Sequence, residues 1–353
     1  MSTIEVPSRQ LGRNGPIVSA LGFGAMGIGA FYGKTDKDEA FKALTHAADC
    51  GMTFWDCADI YGGTEAALGN WFNRTGRRNE IFLATKFGAR DPTKAIHDSS
   101  LSSPNSKPSY IREALKRSLE KLGGDYIDLY YQHRVDPNVP IEIVLETLRE
   151  FVDNGKVKWI GLSECSIDTM RRAKAVPGIG EKVIAAQMEF SPFCLDIIKS
   201  GFLQAARELG VTIVAYSPLG KGMISGRYRC RSDFDADDIR LLFPRFSEEN
   251  FSRNLILADS VKAISEKYNA TPSQITLSWI MSAYPDFIPI PGCRTVERVQ
   301  ENAGSVSVAL TDDDIEDISK LSEDADVGGE RLPSNLLTNV RGDCLLLGDW
   351  NGE

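Results

Sequence analysis

Histidine is scarce in this chain, at 3 of 353 residues, and the 7 cysteines form no C-x-x-C pair. So thin and scattered a set of ligands predicts neither a zinc site nor a disulfide framework, and fits the reduced thiols of a cytosolic protein. Positive charge is also in deficit. Against 49 Asp and Glu stand 40 Lys and Arg, a formal net charge of −9. That balance argues against nucleic acid or an anionic membrane surface as a partner, because both attract basic patches. Long apolar runs are missing too: no segment approaches the length that crosses a bilayer, and the opening Met-Ser-Thr-Ile-Glu-Val-Pro lacks an apolar leader core. The expectation is a soluble, cytoplasmic protein without a metal, and no oligomeric state is indicated.

What is present is ordinary globular material, 42% hydrophobic and 25% charged. A single barrel domain over 1–353 fits this length better than two small domains, with a core over about 18–321 and a tail over 322–353. Gly12-Arg-Asn-Gly-Pro16 reads as the turn of an N-terminal hairpin that plugs the barrel. Strands are predicted near Ala20–Ala25, Thr53–Asp56, Ile81–Lys86, Ile127–His133, Val157–Ser163, Val183–Glu189, Thr212–Ser217 and Phe287–Pro291. Helical spacing falls between them at Asp38–Gly51, Pro108–Gly123, Pro140–Gly155, Phe202–Gly210, Leu255–Tyr268 and Pro272–Tyr284. Strand–helix alternation repeated about eight times predicts a (β/α)₈ barrel. Lys221–Asn254 is long and rich in Arg and Asp, which predicts a flap over the mouth. Asp312–Leu321 reads as a helix, and the irregular tail after it ends in an apolar patch that either packs back on the barrel or meets a partner.

Three of the predicted strands close on ionisable residues: Asp56, Lys86 and His133, with Tyr61 in the turn after the first. A parallel barrel carries such strand ends to its C-terminal mouth, where barrels of this kind do chemistry. Each residue alone has a structural explanation, as a helix cap, a rim charge, a loop aromatic or a solvated histidine; together they form a proton-handling set. Transferring a hydride to a carbonyl leaves an alkoxide that needs a proton. A tyrosine whose acidity is drawn toward neutrality by a lysine is suited to give it, a carboxylate can hold the lysine, and a histidine can orient the oxygen.

Gly22-Phe-Gly-Ala-Met-Gly27 matches G-x-G-x-x-G but does not open into a helix. The acidic residue expected about 20 positions later is also missing, so a doubly wound dinucleotide fold is not predicted.

With Asp56-Cys-Ala-Asp-Ile-Tyr61-Gly62, Lys86 and His133 in this order, the chain resembles the aldo-keto reductase family of NADPH-dependent (β/α)₈ barrels. The resemblance runs from Gly22-Phe-Gly to Asn302. It implies Tyr61 as general acid, His133 as orienting group, and Lys86 with Asp56 as the tuning pair. For the NADPH/NADP+ site it implies Gly24 and Met26 near the first strand and Ser163 and Gln187 on the carboxamide. Tyr216 would stack on the nicotinamide, and Ser217, Pro218, Leu219, Gly220, Lys221 and Gly222 would lie around the pyrophosphate. Gly292, Cys293, Arg294 and Arg298 would hold the phosphates, with Glu301 and Asn302 at the adenine. Glu164 stands where many relatives carry Asn, and Cys293 where they carry Thr, Ser or Ala. Ala-Tyr-Ser-Pro-Leu-Gly-Lys-Gly at 215–222 is similar to fungal and plant reductases of assorted aldehydes and pyridoxal-like compounds.

The resemblance leaves two functions in play. One is a reductase of a small-molecule aldehyde or ketone. The other is an NADPH-binding regulatory subunit like the potassium-channel β subunits, which the complete Asp56, Tyr61, Lys86 and His133 set disfavours, as does the short N-terminal segment. Phe31, Tyr32, Trp55, Phe87 and Phe190 are expected as walls of the substrate pocket.

Overall fold

A computed structural model describes residues 5–29, 36–93, 103–337, 340 and 342–353. The chain opens with an antiparallel hairpin, β1 (Ser8–Gln10) and β2 (Ile17–Ser19), followed by eight parallel strands that neighbour one another in chain order. These are β3 (Phe23–Gly24), β4 (Phe54–Asp56), β5 (Phe82–Phe87), β6 (Ile127–Gln132), β7 (Val157–Ser163), β8 (Val183–Glu189), β9 (Thr212–Tyr216) and β10 (Phe287–Ile290). The last strand returns to the first. The Gly22 N–H donates to Pro289 at 2.9 Å, the Gly24 N–H to Pro291 at 3.0 Å, and the Cys293 N–H to Gly24 at 3.1 Å. A Cβ at Gly24 would lie 2.8 Å from the Ile290 carbonyl, so only glycine lets the backbones close here. The Gly22–Gly27 pattern therefore serves barrel closure; contrary to the sequence expectation it does run into a helix, but Met26–Gly29 is a single turn. The molecule is a (β/α)₈ barrel with an N-terminal hairpin.

Strand alternation divides the side chains between two packing layers. Inward-facing Phe54, Ala84, Leu129, Tyr131, Ala185, Val214 and Ile288 fill the barrel together with Leu11 and Val18 of the hairpin. The hairpin sits at the strand starts: the Gly12 N–H donates to Thr212 Oγ1 at 2.8 Å, and Ser19 Oγ accepts from Phe54 N at 2.9 Å. It plugs the end opposite the chemistry. Outward-facing side chains pack under the helices α1 (Lys37–Asp49), α2 (Thr64–Thr75), α3 (Pro108–Leu122), α4 (Ile141–Asp153), α5 (Ile167–Ala175) and α6 (Phe202–Leu209). The ring of helices continues with α7 (Glu248–Lys267), α8 (Pro272–Ala283), α9 (Val296–Ala303) and α10 (Asp312–Asp324).

Two helices, α2 and α5, lie where the sequence gives no clear helical spacing. Helix α2 begins at Gly63 without a side-chain cap and buries Thr64 and Glu65, polar residues that disguise its inner face. Helix α7 begins at Glu248, seven positions before its periodicity becomes apparent. Ser247 caps it by accepting from Asn250 N, with Glu248 and Glu249 in the first turn.

The tail from 322 onward is held against the barrel. Asn254 exchanges two hydrogen bonds with Gly328, at 2.7 and 2.9 Å. The Gly342 carbonyl accepts from Ser166 N at 3.0 Å and Thr169 Oγ1 at 2.7 Å, and Arg172 donates to Leu345 at 2.6 Å. Glu353 accepts from Ser109 N at 2.9 Å. Among the described residues no helix is long and apolar enough to cross a membrane.

Candidate active site

Register decides which side chains meet. Across β5, β6 and β7, Lys86 pairs with Tyr131 and Tyr131 with Gly161. A Cβ at position 161 would come within 2.3 Å of the Tyr131 ring, so the glycine makes room for an aromatic floor. Lys86 Nζ lies above that floor, 5.9 Å from the ring centroid. On neighbouring inward positions stand Asp56, the last residue of β4, and Gln187, two residues short of the end of β8.

The Lys86 side chain is wholly buried and donates to Asp56 Oδ1 at 2.5 Å and to the Cys57 carbonyl at 2.7 Å. Asp56 Oδ2 accepts from Gln187 Nε2 at 2.7 Å. Burial works against the Lys86 charge, but Asp56, Tyr61 and Cys57 outweigh it and hold the ammonium above its usual range. Burial pushes Asp56 up, with Lys86 and Gln187 pulling it partly back.

Lys86 Nζ stands 5.0 Å from the centroid of the Tyr61 ring, which crosses the His133 imidazole edge-on at 5.8 Å. Tyr61 is partly exposed at the mouth, yet burial of its hydroxyl is the largest influence on its acidity. It raises the phenol above its usual value, and Lys86 only partly pulls it back. The sequence reading expected a net shift toward neutrality; desolvation wins instead. His133 is buried, and burial followed by Arg134 and Lys86 drives it well below the ordinary imidazole range. It is therefore neutral at physiological pH, and its Nδ1 has no hydrogen-bond partner among the described residues.

A long cavity opens beside this group. It is lined by Gly24, Met26, Asp56, Tyr61, Gln187 and Tyr216, and also by Gly292, Cys293, Arg294, Arg298 and Asn302. The turn after β9 also contributes: Ser217, Pro218, Leu219, Lys221 and Gly222 line the wall and Gly220 does not. Ser217 and Lys221 adopt left-handed backbone angles, φ 50° and 56°. Strain of about 1–3 kcal/mol at each is the mark of a loop whose shape matters. Glu301 and Ser163 do not line the cavity: Glu301 pairs with Arg298, and Ser163, beside Gln187 in the sheet, accepts from Arg134 at 3.4 Å.

The expected flap forms part of this wall. Ser225, Arg227, Tyr228 and Arg240 face the cavity, and Arg240 lies 4.4 Å from the Tyr228 ring while donating to the Lys221 carbonyl at 3.2 Å. These residues, with Arg134, went unnoticed in the sequence. A cationic cavity in an acidic chain was the available signal, but the flap has no periodicity by which to place them.

The expected aromatic walls lie elsewhere. Trp55 packs against Phe23, Trp71 and Phe72; Phe87 packs on Tyr130; Phe190 packs against Trp279, Tyr284 and Phe287. All three are wholly buried. Trp55 and Phe87 are neighbours of inward-facing Asp56 and Lys86, so alternation sends them outward. Phe31 and Tyr32 fall outside the described residues.

Residues 20–323 match the model of the aldo/keto reductase family. The chain belongs to the aldo/keto reductase family. Its curated relatives include aldo-keto reductase str7 of Strobilurus tenacellus, 46% identical over 92% of this chain and 95% of that one. They also include aldo-keto reductase yakc [NADP(+)] of Schizosaccharomyces pombe, 43% identical over 94% of this chain and 95% of its own. The family match spans every barrel strand, from β3 to β10, and stops within α10. The N-terminal hairpin before it and the tail after it are the parts of this reductase-family chain that lie outside the match.

Proposed function

We propose that this protein is an NADP(H)-dependent oxidoreductase that reduces aldehydes or ketones to alcohols, working as one barrel domain with an appended tail. The observation that carries it is the buried Asp56–Lys86 pair, 2.5 Å across, set under Tyr61 and beside a neutral His133 at the edge of one long cavity. The cofactor is NADPH/NADP+; the family membership and a relative named with NADP(+) support it. The residues fit such a group. Arg227, Arg240, Arg294 and Arg298 line the same cavity, and guanidinium groups suit phosphates. Asn302, 1% exposed, lines the cavity with an Oδ1 that has no partner among the described residues, an acceptor suited to the adenine amino group. Gln187 spends its Nε2 on Asp56, which leaves its oxygen for the carboxamide.

When bound, NADPH supplies the hydride. Tyr61 holds its proton at neutral pH and passes it to the carbonyl oxygen as the carbonyl carbon becomes an alcohol carbon. Lys86 favours the phenolate that remains. His133, being neutral, donates an N–H to the same oxygen and places it without repelling the lysine. The regulatory-subunit reading is not favoured, because it has no use for a proton donor kept protonated beside a buried cation. A panel of aldehydes and ketones, including 4-nitrobenzaldehyde and pyridoxal, monitored by NADPH absorbance, tests the class and narrows the substrate. No consumption with any of them would sink the reading.

Cofactor choice gives an independent check. Arg294 precedes the capping residue Thr295 and Arg298 sits in the first turn of α9, both facing the cavity. A charge-assisted contact to a phosphate contributes about 1.5–3 kcal/mol. NADH, which lacks the 2′-phosphate, should therefore bind one to two powers of ten more weakly per lost contact, as an order of magnitude. Replacing both arginines with alanine should weaken NADPH strongly and NADH little. Fluorescence titration reads this directly, and equal affinities in the unmodified protein would leave the two arginines without this role.

A further inference from the structure

Glu164 follows the last residue of β7 in a left-handed backbone conformation, φ 52°, rare for a residue with a side chain. Its carboxylate is buried and receives four hydrogen bonds. Glu189 N donates at 3.2 Å, the Tyr216 hydroxyl at 2.8 Å, and the Arg331 guanidinium at 2.9 and 2.6 Å, one to each oxygen. Arg331 belongs to the C-terminal tail, 167 positions further along the chain.

The pairing extends to a second buried acid. Glu189 lies 3.5 Å from Arg331 and 2.5 Å from Lys221, the lysine of the cavity loop, and its Oε2 is 3.4 Å from the Tyr216 hydroxyl. Arg134 faces the cluster from the loop after β6, and Asp196, largely exposed, lies 3.8 Å from Arg331. Two buried carboxylates thus meet two cations, one from the flap side and one from the tail. Burial alone would raise Glu164; Arg331 more than offsets it and keeps the carboxyl below its usual range.

We propose that Arg331 is a positioning residue for the cofactor site: through Glu164 it fixes the Tyr216 ring at the cavity wall, and by neutralising Glu164 it sets the relative affinity for oxidised and reduced cofactor. The inference rests on the cofactor reading above, which puts the nicotinamide beside Asp56, Tyr61, Gln187 and Tyr216. The oxidised ring is a cation and the reduced ring is neutral. An acid left unpaired behind Tyr216 favours the oxidised form, and the tail guanidinium removes that bias. One unpaired charge acting across roughly 10 Å at an effective dielectric constant of about 20 changes an affinity ratio by about tenfold.

The experiment measures dissociation constants of NADP+ and NADPH by fluorescence titration between pH 6 and 9, for the unmodified protein, Arg331→Met, Arg331→Lys and the double variant E164Q/R331M. In Arg331→Met the buried Glu164 has lost its main partner, so its proton is retained at low pH and released as pH rises. The ratio should therefore move toward NADP+ by about tenfold across this range. The unmodified protein should show no such movement, Arg331→Lys should recover most of the original ratio, and E164Q/R331M should abolish the pH dependence. An unchanged ratio in Arg331→Met, or equal weakening of both cofactors at every pH, would overturn the proposal and reduce Arg331 to a tail anchor. Failure of the unmodified protein to bind either nucleotide would instead sink the cofactor reading beneath it.

Discussion

Tyr61→Phe should reduce turnover by about 10²–10⁴-fold, the usual contribution of a positioned general acid, while leaving the NADPH dissociation constant near that of the unmodified protein. The phenol is the acidic O–H placed both over Lys86 and against His133, and the substitution removes that oxygen alone. The ring remains, so the packing against the imidazole remains. The arginines proposed to meet the phosphates, Arg294 and Arg298, are other lining residues of the cavity, which the substitution leaves in place. Because burial raises the phenol, reduction by the unmodified protein should hold steady through neutral pH and fall only as the pH climbs through the elevated titration of Tyr61. Steady-state assays at several pH values, with a parallel binding titration, check both halves. Retention of more than about a tenth of the turnover would assign the proton to another group.

Lys86→Met should abolish measurable reduction, with any residual activity showing its alkaline limb at still higher pH. Lys86 supplies the largest downward pull on the Tyr61 phenol, so its loss makes the phenol a weaker acid. The substitution also leaves Asp56 buried without its cation, and breaking such a pair costs about 3–5 kcal/mol. Loss of activity alone could therefore reflect poor folding. The double variant K86M/D56N separates the two, since it leaves no buried charge. It should recover thermal stability toward the original without recovering turnover. Recovery of activity along with stability, or an unchanged pH profile in Lys86→Met, would break the link between Lys86 and Tyr61.

Much of the scaffold was legible because barrel strands are short apolar runs with fixed parity. Once Asp56, Lys86 and His133 are read as strand ends, parity turns Asp56 and Lys86 inward, and the observed register brings them together. The same parity argues against Trp55 and Phe87 as pocket walls, and they pack outward. That step was available from sequence but is easily overridden by the expectation that aromatic rings line pockets. Helix α2 was obscured for a different reason: its inner face carries Glu65, whose Oε1 accepts from Thr85 at 2.8 Å, so a buried polar contact broke the apolar spacing. The link between Glu164 and Arg331 lies beyond any local pattern, because the two residues belong to segments with no shared periodicity. Only the odd carboxylate after Ser163 hinted at it. Tyr61 shows the opposite limit. The sequence names its neighbours correctly but does not weigh burial against one cation, and burial prevails.

Hydride transfer itself is the claim on which the rest depends, and isotopic labelling reads it directly. The protein is incubated with 4-nitrobenzaldehyde and NADPH carrying deuterium at both C4 positions of the nicotinamide, and the product is analysed by mass spectrometry. The account predicts an alcohol with a single deuterium on the carbinol carbon, formed by the unmodified protein and strongly suppressed in Tyr61→Phe. Consumption of NADPH without label in the alcohol, or tight NADPH binding with no alcohol from any carbonyl compound tested, would contradict it.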